Sequence, residues 1–152
     1  MNQTAKRILL WGLGGFTLLM IGGISFVAWM AMAMFESTPV DQQGATAAFE
    51  EVRKKFAEGP AFTLDDRGPA KRREPPGSQP ATPKNLHILS WNPEEGKIAR
   101  ITLPFSLLRL GGDKQIEIER VNLNWSDIER YGSTLLLDTA TPDGDHVVLW
   151  TE

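Results

Sequence analysis

Hydrophobic positions are unevenly placed along this chain. From Ile8 to Phe35 there are 28 residues without a charge, 21 of them apolar. Beyond Phe35 the pattern breaks into short amphipathic pieces. A largely apolar, uncharged run of this length has no charged face, so it predicts a helix surrounded by lipid rather than by water. At 1.5 Å per residue it would extend about 42 Å, longer than a hydrocarbon core of roughly 30 Å. Trp11 and Trp29 lie 18 positions apart, which suits anchors at the two membrane interfaces. Gly12, Gly15 and Gly22 share one side of such a helix and are its candidate packing face, although no strict GxxxG motif is present.

Charge gives the span a direction. Lys6 and Arg7 precede it, and Glu36 and Asp41 follow. The positive-inside rule then predicts a single-pass protein of the inner or plasma membrane. Residues 1–7 form a cytoplasmic tail, residues 8–35 the transmembrane helix, and everything later is periplasmic or extracellular. Ala31-Met32-Ala33 resembles a signal-peptidase site, but the apolar stretch far exceeds the core of a signal peptide. Retention as an anchor is the expectation.

Residues 36–59 read as a stalk or docking helix. Phe49, Val52 and Phe56 recur at helical spacing, Asp41 or Thr46 offers a cap, and Gly59-Pro60 stops the run. The pairs Glu50–Lys54 and Glu51–Lys55 stand at i,i+4 on the other side. Residues 60–84 hold six of the ten prolines. From Arg67 onward, Arg67, Lys71, Arg72, Arg73 and Lys84 outweigh Glu74, the composition of a basic, solvated linker.

Residues 85–152 predict a small antiparallel β-rich domain. Leu86 to Trp91 and Lys97 to Leu103 flank the turn Asn92-Pro93-Glu94-Glu95-Gly96. Pro104 to Leu110 is a short apolar helical turn. Gln115 to Leu123 is strand-like with a phase change, read as a bulge. Ser126-Asp127-Ile128-Glu129 has the form of a capping box, with Gly132 as the stop. Leu135 to Thr139 and His146 to Trp150 make a final hairpin around Asp143-Gly144. The predicted fold class is thus a single-pass transmembrane helix plus a small β-rich α+β extracytoplasmic domain.

Candidate chemistry is sparse. The chain has no cysteine, which excludes disulfides, thiol nucleophiles and thiolate metal sites. His87 and His146 are its only histidines, too few to define a metal centre. Ser106, Ser126 and Ser133 lack a nucleophile elbow, and the glycines form no phosphate-binding loop. The net charge is -3, and residues 94–152 carry 6 basic against 11 acidic side chains, which argues against nucleic acid. No catalytic residue, cofactor or metal is therefore expected.

The function these patterns predict is non-catalytic. The chain reads as an accessory or assembly subunit of a larger integral membrane complex, packing through its transmembrane helix and its extracytoplasmic domain. Phe49, Phe56, Phe105, Leu107 and Leu108, or the strand edges, are the candidate protein contacts. One alternative is a membrane-anchored ligand-binding or sensory module whose pocket Trp91, Trp125 or Trp150 would line. Another is a small anchored hydrolase, which needs His87 and His146 to converge.

Overall fold

The best-defined local unit is the hairpin around Asn92. In a computed structural model of the chain, the Asn92 side chain accepts hydrogen bonds from the backbone N–H groups of Glu94 and Glu95, at 2.8 and 3.1 Å. Gly96 closes the turn with φ +60°, a backbone state that favours glycine. The strands on either side, β4 (Asn85–Asn92) and β5 (Lys97–Pro104), pair antiparallel over their full length. The structure describes residues 28–64, 71–77, 80–110, 116–118, 121–141 and 143–152. These fall into two compact units, 1–34 and 35–152. Residues 28–34 are helical and belong to the first.

In the second unit, β1 (Phe35–Pro39) pairs antiparallel with β5, placing Phe35 opposite Ile101 and Pro39 opposite Lys97. Helix α1 (Gln42–Lys55) follows, its first turn capped by Asp41, whose carboxylate accepts from Gly44 N–H at 2.7 Å. Short strands β2 (Phe62–Thr63) and β3 (Lys71–Arg72) come from the stretch expected as linker. After β5 come α2 (Phe105–Leu110), β6 (Ile116–Ile118) and β7 (Val121–Leu123). Helix α3 (Trp125–Tyr131) leads to β8 (Leu135–Ala140) and β9 (His146–Thr151). Seven strands form one sheet in the order β1-β5-β4-β9-β8-β2-β3, mixed because β2 joins β8 in parallel. β6 and β7 form a separate two-stranded ribbon.

Strand alternation sorts the sheet's side chains into two cores. Leu89, Leu135, Val148 and Trp150 meet Ala45, Phe49 and Val52 of α1 on one face. On the other, Leu86, Leu136, Leu137 and Leu149 meet Phe62, Phe105, Trp125, Ile128 and Tyr131, so α2 and α3 cover that side. The register of β8 against β9 shifts between Leu135 and Leu137. That irregularity lets two consecutive leucines, Leu136 and Leu137, enter the same core.

Several expectations change. Among the described residues no helix is long and apolar enough to cross a membrane. The described end of the expected span, 28–34, stops where Phe35 enters the β1–β5 ladder. Residues 8–27, with Trp11, Gly12, Gly15 and Gly22, lie outside the described residues. The fold class is accordingly corrected from a single-pass helix with a small outer domain to a compact α+β domain with a mixed sheet. The accessory-subunit function, the integral-membrane partner, and the inner- or plasma-membrane location with a periplasmic C-terminus all rested on that helix. They lose their basis with it. The physical reason is that hydropathy registers side chains alone, whereas β1 begins where Phe35 comes to lie opposite Ile101 and the backbone of Glu36 turns to β5.

Two smaller readings also change. The phase shift between Ile118 and Val121 is the reversal between paired strands β6 and β7, not a bulge. The cap of α3 is Asn124, whose side chain accepts from Asp127 N–H at 2.7 Å; Ser126 already lies inside the helix.

Candidate functional site

Polar side chains converge where α1 crosses β8 and β9. Arg53, one turn beyond Phe49 on α1, reaches the sheet with its guanidinium. Its Nε donates to Asp138 Oδ2 at 2.6 Å and its Nη2 to Asp138 Oδ1 at 3.0 Å, while Nη1 donates to Glu50 at 2.8 Å. His146 Nε2 lies 2.7 Å from Asp138 Oδ1 and 3.1 Å from Arg53 Nη2. The imidazole stacks on Phe49 with centroids 4.2 Å apart. Partial burial works to raise the Asp138 pKa, but the hydrogen bonds and charges of Arg53 and His146 prevail and hold it below the ordinary carboxylate value. Hydrogen bonding to Asp138 likewise holds Arg53 above its ordinary value. His146 Nε2 can donate to Asp138 or accept from Arg53, according to its tautomer, and the cluster ties helix α1 to strands β8 and β9.

His87 is elsewhere. In the β4–β9 ladder His87 faces Trp150 and Trp91 faces His146, so the two imidazoles stand at opposite ends of the strand pair. His87 stacks on Trp150, its Nδ1 lies 3.1 Å from Thr102 Oγ1, and its Nε2 is 3.9 Å from Glu152. Burial pushes its pKa down, with Arg100 and Lys55 adding to the effect and Glu152 opposing it. The histidine pair that hydrolysis required does not form. Trp125 and Trp150 belong to opposite cores, and Trp91 packs beside the core of Trp150 and also lines the groove described below. Among the described residues no group of three or more metal-ligating side chains assembles.

The predicted contact residues fall mostly inside the unit. Phe49 and Phe105 are core residues, Phe56 and Leu108 pack at core margins, and Leu107 is half-buried. Trp29 is 67% exposed in the first unit.

A different feature is open. β1 ends the sheet order, and all five of its residues are exposed. Val40 N–H donates to Gly96 O at 3.0 Å and continues the β1–β5 register. In an antiparallel ladder alternate residues turn both backbone groups toward the partner. By that alternation Thr38 and Glu36 bond to β5, and the groups of Phe35, Ser37 and Pro39 face outward. Pro39 therefore sits where its missing donor costs the ladder nothing.

Beside this edge lies an open groove of about 290 Å³ on the sheet face, lined in part by Phe35, Ser37, Ser90, Lys97, Ala99 and Val147. Glu95 and Asp145 add acidic groups to its rim. The opposite end of the sheet differs. β3 is a two-residue strand, Lys71–Arg72, a short basic edge of the kind that resists added strands.

Neither the Arg53 cluster nor the β1 edge was singled out from the sequence. Asp138 is 85 positions from Arg53, and the five-residue β1 directly follows the apolar run that absorbed its first residue. The only available signal was Pro39 beside Val40, since a proline near a strand end marks an edge position. No protein-family model, curated protein or solved structure gives a significant match to this chain.

Proposed function

We propose that the unit spanning residues 35–152 is a non-catalytic binding module that takes up an extended polypeptide segment along the outer edge of β1. The observation carrying this reading is the exposed β1 edge, whose outward backbone groups at Phe35 and Ser37 are without a strand partner among the described residues. Backbone hydrogen bonds would supply affinity. Alternate side chains of the guest would enter the groove flanked by Phe35, Ala99 and Val147. Phe35, 52% exposed, offers an aromatic surface for that contact. The absence of catalysis is part of the proposal and is supported by the separation of His87 from His146 and by the use of His146 in the Arg53–Asp138 clamp.

The test uses a lysine-capped peptide of alternating valine and threonine as probe, followed by amide exchange in NMR spectra of the full chain. Binding should slow exchange at Phe35 and Ser37 and leave Glu36 and Thr38, already bonded to β5, unchanged. Ser37→Pro removes an outward donor without touching the β5 ladder. It should weaken binding by about tenfold, the loss of roughly one hydrogen bond, with the unfolding midpoint unchanged. Protection of another strand, or equal affinity in the Ser37→Pro variant, would overturn the proposal.

A further inference from the structure

The β1 edge is complementary to itself. Resting on the edge-strand reading above, we infer that its guest is β1 of a second copy of this chain, running antiparallel about a two-fold axis through Ser37. The outward residues of β1 are Phe35, Ser37 and Pro39. With Ser37 facing the second copy's Ser37, each serine N–H meets the other's carbonyl. Phe35 then faces the second copy's Pro39, and the Phe35 N–H meets a carbonyl that proline still provides. The donor that proline lacks would have met only the Phe35 carbonyl at the strand terminus, which stays open to water. Moving the pairing by one residue sets inward-bonded positions against outward ones and breaks the match.

Charge agrees with this register. Glu36, the only charged residue of β1, faces the second copy's Thr38 rather than another Glu36. Within its own sheet Glu36 already lies across from Arg100, so the acid does not confront uncompensated charge. On the groove side, Phe35 covers the ring of the second copy's Pro39 and loses part of its exposure. Pairing β1 with the far edge instead would join unlike edges and propagate open chains. That edge is β3, two residues long and basic, and it offers too few backbone groups. The isologous β1–β1 pair closes after two copies.

Since the chain has no cysteine, introduced thiols report the register directly. Facing residues in antiparallel strands have Cα atoms about 4.5 to 5.5 Å apart, within disulfide range. Two Glu36 residues would instead be offset by two positions, about 8 Å apart and beyond it. Mild oxidation of full-length Ser37→Cys should give a covalent dimer about tenfold faster than Glu36→Cys alone, by that difference in geometry. A mixture of Glu36→Cys and Thr38→Cys should cross-link as the heterodimer. Circular dichroism on each variant verifies that the fold is retained.

Equal rates for Ser37→Cys and Glu36→Cys, or no cross-link from any of them, would overturn self-pairing. If the valine–threonine peptide still protects the Phe35 and Ser37 amides in that case, only the identity of the partner is wrong. If that protection is absent too, the edge reading falls with it.

Discussion

Asp138 works with both oxygens. One holds the Nε of Arg53, and the other is shared between Arg53 Nη2 and His146 Nε2. Because the ion pair and hydrogen bonds favour the charged carboxylate, its folded pKa lies below the unfolded value. Its contribution to stability is therefore complete above the unfolded pKa, about 4, and is lost as pH falls through that value toward the folded pKa. Asp138→Asn should cost about 1–2 kcal/mol near pH 7, because Arg53 is partly exposed and solvent screens the pair. Thermal melts of wild type and Asp138→Asn should converge as the pH drops from 6 to 3. A constant gap would show that the carboxylate charge contributes nothing. None of this was legible in sequence. Local spacing pointed to Glu50–Lys54 and Glu51–Lys55 pairs on α1, whereas Arg53, not singled out, joins Glu50 to a strand far along the chain.

At the scale of elements, the proline-rich stretch read as a solvated linker is tied to the fold along its described parts. Arg73 N–H donates to Ala61 O at 2.8 Å, and its guanidinium donates to Thr134 Oγ1 at 2.9 Å. Tyr131 Oη donates to the Arg73 carbonyl at 2.5 Å. Pro80 sits against the end of α3, where Gly132 has φ +68°. A Cβ placed on Gly132 would lie 2.5 Å from Pro80 Cβ and 3.3 Å from Ala81 O. Gly132→Ala should thus destabilise the protein by about 1–3 kcal/mol, since both the backbone state and the close approach demand glycine. Pro80→Gly in the same background should recover only the steric part. Urea denaturation of the two variants measures the split, and full recovery would assign the whole cost to the contact. Gly132 as a helix stop was readable from the sequence. Its second role, as the surface on which the proline segment lies, was not, because composition reports flexibility but not what a segment touches.

The whole unit is organised by one sheet serving two cores. β8 sends Leu135 to one face and Leu136 and Leu137 to the other, and β9 does the same with Val148 and Leu149. Removing bulk from either core must loosen strands that the other core also uses. Phe49→Ala, beneath α1, and Phe105→Ala, on the opposite side, should each cost about 3–5 kcal/mol. Each should lower a single unfolding transition, seen at one midpoint by tryptophan fluorescence and by far-ultraviolet circular dichroism. Two separated midpoints in either variant would mean that the cores unfold independently.

Short stretches of chain settle several features on their own. These are the hairpin turned by Asn92 and Gly96, the final hairpin of β8 and β9, the Asp41-capped helix with Phe49 on its buried side, and the stop at Gly132. Each depends on residues close in the chain, where turn chemistry, capping and periodicity act directly. The strand order, the placement of Phe35 beside β5, the use of Lys71 and Arg72 as a strand, and the meeting of Arg53 with Asp138 and His146 emerge only in the folded chain. Those arrangements join residues tens of positions apart. Their free energy comes from backbone pairing and burial that exist only once the distant partner is in place.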